Sequence, residues 1–120
     1  MSQFFNTTSP IYWQIVQRLC RQIIRGELGA GDKLPSVREL ALQMGVNPNT
    51  AQRVYTELER LGIAETRRGL GTFITENQTR LRLLREETMS EQISNFIAGM
   101  KEMGFSAAEI VEGVSTALKK

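Results

Sequence analysis

Ser36-Val37-Arg38-Glu39-Leu40-Ala41-Leu42-Gln43-Met44-Gly45-Val46-Asn47-Pro48-Asn49-Thr50-Ala51-Gln52-Arg53-Val54-Tyr55 holds two helix starts and one helix stop. Ser36 and Glu39 stand at capping-box spacing, where the hydroxyl and the carboxylate each satisfy an otherwise orphaned backbone N–H. Val37, Leu40, Ala41 and Met44 recur at three- and four-residue steps, so they make the inner face of a short helix that Gly45 closes. Asn47 is the next N-cap and Pro48 the first helical residue. Ala51, Val54, Tyr55, Leu58 and Leu61 give the second helix its apolar stripe, and Gly62 ends it. Two short helices joined by a tight turn containing glycine predict a helix-turn-helix.

Upstream, Ile11, Ile15, Val16, Leu19, Cys20, Ile23 and Ile24 trace one face of a helix over 10–25, with Ser9 as its expected N-cap and Gly26 as its stop. Tyr12 and Trp13 read as anchors of that helix on the core, and Cys20 as a small buried hydrophobe. Residues 26–34 read as a turn-rich connector. Downstream, 63–68 and 72–75 read as two short strands around Gly69-Leu70-Gly71, a hairpin whose glycines can take positive φ. Helix, helix-turn-helix and hairpin in that order predict a winged helix over residues 1–76.

Residues 77–120 differ in kind. Leu84, Met89, Ile93, Phe96, Ile97, Met100 and Met103 mark an apolar face on a long helix that ends at Gly104. Ser106 and Glu109 form a second capping box ahead of Ile110, Val111, Val114 and Leu118. Two helices of this size bury too little surface to stand alone without a staple, and neither disulfide nor metal is available. A second copy across a two-fold axis is the expected partner. Met89, Ile93, Phe96, Ile97, Met100, Met103, Val111 and Val114 are its expected interface. The expected fold class is therefore mainly α with a small β-hairpin: a winged helix-turn-helix followed by a two-helix dimerisation tail.

Composition narrows the function. The chain has 120 residues, one cysteine and no histidine, which removes the commonest acid/base residue and the commonest metal ligand. No catalytic residue, metal or cofactor is expected. The carboxylate pairs Glu57/Glu59 and Glu86/Glu87 read as solvated helix faces. No stretch suits a membrane span, and Met1 to Gln14 lacks the basic and apolar regions of an export signal, so a cytoplasmic location is expected. The net charge is only +2, and all of it lies up to Glu76, with nine basic and seven acidic residues there against six of each beyond. Placement therefore matters more than total charge.

Asn47, Asn49, Thr50, Gln52 and Arg53 crowd the start of the second helix of the helix-turn-helix. Asn and Gln can pair two-pronged with adenine, Arg with guanine, and Thr with phosphate or a thymine methyl. Arg67 and Arg68 stand at the hairpin tip beside Gly69, placed for phosphates or the minor groove. Adjacent strand residues point to opposite faces, so only one of the two arginines can face the groove. Gly69-Leu70-Gly71 lacks the further glycine and the lysine of nucleotide-binding loops.

The run Leu34-Pro35-Ser36-Val37-Arg38-Glu39-Leu40-Ala41, then Gly45-Val46-Asn47, Thr50, Arg53, Tyr55, Leu58 and Gly62, then Arg68-Gly69-Leu70-Gly71-Thr72-Phe73, resembles the signature of the GntR family over residues 10–75. The short helical tail with Met103-Gly104-Phe105-Ser106 is similar to the YtrA-like branch. The resemblance implies a bacterial transcription factor binding double-stranded DNA as a homodimer, typically a repressor, in this branch often of an ABC-transporter operon. It assigns DNA contacts to Arg38, Asn47, Asn49, Thr50, Arg53, Arg68 and Gly69. Pro48 departs from the family pattern, since many relatives carry a polar or basic side chain there. A winged helix serving only protein contact is the rival reading, and an enzyme the second. A small-molecule effector, the operator sequence and the regulated genes are left open by the sequence.

Overall fold

A computed structural model describes residues 9–120; the first eight residues of the expected 1–76 domain lie outside the described residues. The order is α1 (Ile11–Ile24), α2 (Val37–Met44), α3 (Pro48–Arg60), β1 (Ala64–Arg67), β2 (Gly71–Ile74), α4 (Gln78–Glu102) and α5 (Ala107–Leu118). The chain forms two compact units, one running through Leu84 and the other from Arg85 to Lys120.

In the first unit, α3 packs against both α1 and α2. The core combines Ile15, Val16 and Leu19 of α1, Leu40 and Ala41 of α2, and Ala51, Val54, Tyr55 and Leu58 of α3. Ile63, Ala64 and Ile74 close it from the hairpin side. Leu58 is fully buried at the centre of this packing, so truncating it to alanine removes transfer energy and leaves a cavity, a loss of about 2–5 kcal/mol.

The predicted caps form. Ser36 Oγ accepts from the Glu39 amide at 3.1 Å and Glu39 Oε1 accepts from the Ser36 amide at 2.9 Å. Gly45 takes φ +68°, and Asn47 Oδ1 accepts from the Thr50 amide at 2.9 Å. The start of α1 differs from expectation. Pro10 rather than Ser9 is the N-cap, with no side-chain cap bond, and the Gln14 side chain donates to the Ser9 carbonyl at 2.7 Å. Pro10 has ψ 142°, outside the helix, which moves the start of α1 one residue along.

The connector also differs. Its last four residues run antiparallel to β2 instead of only turning: the Gly31 amide donates to the Ile74 carbonyl at 2.9 Å, Ile74 to Asp32 at 2.8 Å, and Leu34 to Thr72 at 2.8 Å. Lys33 pairs with Phe73 in an isolated bridge. Gly31-Asp32-Lys33-Leu34 carries one apolar residue and no alternation, so period-two reading had nothing to detect. The hairpin itself is in the register Ala64↔Ile74, Glu65↔Phe73, Thr66↔Thr72 and Arg67↔Gly71.

Leu84 departs from expectation as well. The apolar spacing assigns it to the tail, whereas it is buried in the winged-helix core with Leu81 packed beside it. The first turns of α4 therefore belong to the first unit, which extends past Glu76. The second unit holds the rest of α4 and α5. Phe105 donates its amide to the Met100 carbonyl at 3.1 Å through the turn at Gly104, and the Ser106–Glu109 capping box starts α5. Ile110 is buried, Ile97 and Met100 are half-buried, and Met89, Ile93, Phe96, Met103, Val111 and Val114 are exposed.

Candidate nucleic-acid interface

The first turns of α3 present their polar residues outward because Ala51, Val54 and Tyr55 face the core. Asn49, Gln52 and Arg53 are exposed and Thr50 is half-buried. Asn47 Oδ1 is committed to the cap, which leaves its amide nitrogen as the group free to face a base. Gln52 and Thr56 are linked side chain to side chain at 3.4 Å, and the Thr56 hydroxyl also donates to the Gln52 carbonyl at 3.1 Å. Pro48 sits at the first helical position and offers no side-chain donor.

Arg38 stands just inside the start of α2, exposed, with no hydrogen bond or ion pair among the described residues. At the wing the two arginines separate. Arg67 lies over the Phe73 ring, its guanidinium carbon 4.4 Å from the centroid, and pairs with Glu65 at 3.2 Å and Glu76 at 3.7 Å. Arg68 is exposed and makes no such contact among the described residues. The Leu70 amide closes the tip onto the Arg67 carbonyl at 2.9 Å, and Gly69 takes φ +77° there, which side-chain-bearing residues rarely adopt. Arg67 is thus occupied in holding the hairpin, and Arg68 is the wing's available cation.

Two residues that sequence reasoning did not place at this surface belong beside it. Lys33 lies exposed on the segment paired with β2, and its Cε comes 2.9 Å from where a Cβ on Gly71 would stand. Tyr12 of α1 lies under Arg53, with the guanidinium carbon 3.9 Å from the ring centroid. Only tertiary packing brings either pair together; a Lys one residue before Leu34-Pro35 is a weak hint for the first.

Glu57 and Glu59 are held by neighbouring side chains, and the Cys20 thiol is half-buried. Glu57 accepts from Arg60 Nε at 2.9 Å, and that bond holds its carboxyl below the usual carboxylate range. Glu59 accepts from the Thr66 hydroxyl. Burial pushes the Cys20 thiol up to about 11, far from a reactive thiolate at neutral pH. Among the described residues no cluster of His, Cys, Asp or Glu could hold a metal, and no helix is long and apolar enough to cross a membrane.

Residues 11–74 match the sequence pattern of the bacterial regulatory proteins of the gntR family. This chain belongs to the GntR family. It is a DNA-binding transcriptional regulator of winged-helix type, and its relatives place it in the YtrA-like branch. The HTH-type transcriptional regulator YhcF of Bacillus subtilis is 48% identical over 116 residues, 97% of this chain and 96% of that protein. The HTH-type transcriptional repressor YtrA of the same organism is 41% identical over 109 residues, 90% of this chain and 84% of that one. A solved GntR family transcriptional regulator from Listeria monocytogenes superposes with a TM-score of 0.87 at 41% identity, covering 93% of this chain and 98% of that chain. The DNA-binding domain of AraR, solved in complex with operator ORX1, matches with a TM-score of 0.54 at 28% identity, covering 62% of this chain and 87% of that chain.

Proposed function

We propose that this regulator acts in the cytoplasm as a homodimeric repressor, placing two α3 helices in successive major grooves of an inverted-repeat operator, with no catalytic activity of its own. The observation that carries the proposal is one winged helix presenting Asn49, Gln52 and Arg53 on α3 together with the unpaired cations Arg38 and Arg68. The amide and guanidinium groups of α3 suit base edges, while the cations on either side of α3 in the sequence suit phosphates or the minor groove. Met89, Ile93, Phe96, Met103, Val111 and Val114 leave an exposed apolar face on α4 and α5, which supports assembly with a second copy. Repression then follows from occlusion of the promoter, and an ABC-transporter operon is the regulated unit that the resemblance to the YtrA-like branch implies.

Selection of bound duplexes from a random pool, followed by sequencing, tests this reading. The expected product is an inverted repeat with half-site centres about 34 Å apart and an affinity that falls with salt. Recovery of no preferred sequence and no salt dependence overturns it in favour of a protein-docking winged helix.

A further inference from the structure

The tyrosine beneath Arg53 belongs to α1, a helix with no assigned part in reading DNA. Tyr12 is half-buried and packed against the core, so its ring is a fixed surface. Arg53 is exposed, one helical turn along α3 from Asn49. The guanidinium carbon lies over the ring, 3.9 Å from its centroid, close enough for the cation to rest on the π face. Stacking of this kind uses the face of the guanidinium and leaves its in-plane donors free. None of those donors has a hydrogen-bond partner among the described residues.

A competing partner for Arg53 exists on its own helix. Glu57 stands four residues on, the spacing at which an arginine and a glutamate pair along a helix. Glu57 is instead taken by Arg60, through both Nε and a terminal nitrogen. Arg53 is thus supported from below by Tyr12, while Glu57 acts on it through charge and keeps its hydrogen bonds for Arg60.

We propose that Tyr12 is a positioning residue for DNA recognition, holding Arg53 stacked so that its planar fork is preset toward the duplex. An unsupported arginine must give up rotamer freedom when it binds, and a stacked one has already done so. The inference rests on the DNA-binding reading and adds a residue of α1 to it.

The test uses the full chain, a fluorescein-labelled duplex selected from a random pool by the wild-type protein, and a scrambled duplex of the same composition. Tyr12→Leu, which keeps apolar bulk without the π face, is expected to weaken binding to the selected duplex by about two- to fivefold, the range of an exposed cation–π contact. Tyr12→Phe, which keeps the ring, restores binding to within about twofold of wild type. Tyr12→Leu placed on Arg53→Ala adds no further loss, the non-additivity that a purely structural role would not produce. Tyr12→Met fills the same space and carries the test if the leucine variant does not fold. Unchanged affinity in Tyr12→Leu, an equal loss in Tyr12→Phe, or additive losses in the double variant each overturn the inference. Failure of the wild type to bind any selected duplex overturns the DNA reading itself, and is distinguished by appearing before any substitution.

Discussion

The phenol of Tyr55 donates a 2.5 Å hydrogen bond to the carbonyl of Pro35, tying the middle of α3 to the turn that launches α2. Tyr55 is 2% exposed, so the donor side of the bond is shielded from water. Tyr55→Phe keeps the ring and strands the carbonyl. The expected cost is about 1 kcal/mol, and for a domain of this size roughly 4–8 °C in Tm, measured by thermal unfolding.

The same phenol has a pH consequence. Burial, reinforced by the charge of Glu39, raises its pKa above the ordinary tyrosine value. A folded-state pKa above the unfolded one contributes stability that is complete below about pH 10 and is lost as pH rises beyond it. Denaturant midpoints for the wild type are expected to fall more steeply above pH 10 than those of Tyr55→Phe. Parallel curves for the two proteins would detach the effect from Tyr55.

Gly71→Ala is expected to weaken the wing for two reasons of unequal weight. Gly71 has φ +121°, a conformation that costs a side-chain-bearing residue on the order of 1–3 kcal/mol. The new methyl would also meet Lys33 Cε at 2.9 Å, but that is the far end of a flexible chain and can move. Adding Lys33→Ala should therefore leave most of the loss in place. Full recovery of Tm in the double variant would make the clash, and not the backbone, the main cause of the loss.

The wing arginines are expected to behave differently. Arg68→Ala removes a free cation, so it should flatten the dependence of log affinity on log salt by about one unit per protomer and weaken selected and scrambled duplexes alike. Arg67→Ala removes the contact with Phe73 and two ion pairs, so its main effect should be a lower Tm. Salt titrations and melting curves on both variants check this. A reversed pattern would exchange the two assignments.

Phe96→Glu tests the tail. Phe96 is exposed on α4 within the apolar face that also carries Ile93. A charge there should shift the sedimentation profile from dimer to monomer. It should also weaken operator binding by more than about tenfold, because the second half-site no longer adds its contacts. An unchanged dimer would place the interface elsewhere.

Local chemistry was readable in the sequence where a residue acts on its own backbone. Ser36, Glu39, Asn47, Ser106 and Glu109 cap, and Gly45 and Gly104 stop helices, at short fixed spacings. The polar face of α3 was readable for the same reason, since Ala51, Val54 and Tyr55 fix which side is inward. What escaped depends on segments far apart in the chain. The 31–34 segment runs alongside β2 only because β2 supplies the other half of its hydrogen bonds. Leu84 fits the spacing of the tail and is nonetheless drawn into the winged-helix core. Arg53 reads as a free base reader until Tyr12, forty-one residues earlier, is found beneath it. Neither arginine at the wing tip is distinguishable from the other until Phe73 and Glu76 come within reach of one of them.

The pairing of 31–34 with β2 bears on how the protein lets go of DNA. Leu34 hydrogen-bonds into the wing and leads straight into Pro35, whose carbonyl holds Tyr55. The wing, the start of α2 and the middle of α3 are thereby joined by hydrogen bonds through two consecutive residues, Leu34 and Pro35. If the proposed half-site is gripped by this unit, the wing and α3 are expected to engage and release it together. In a dimer built as proposed, a signal that ends repression is then expected to act on the spacing of the two DNA-binding units.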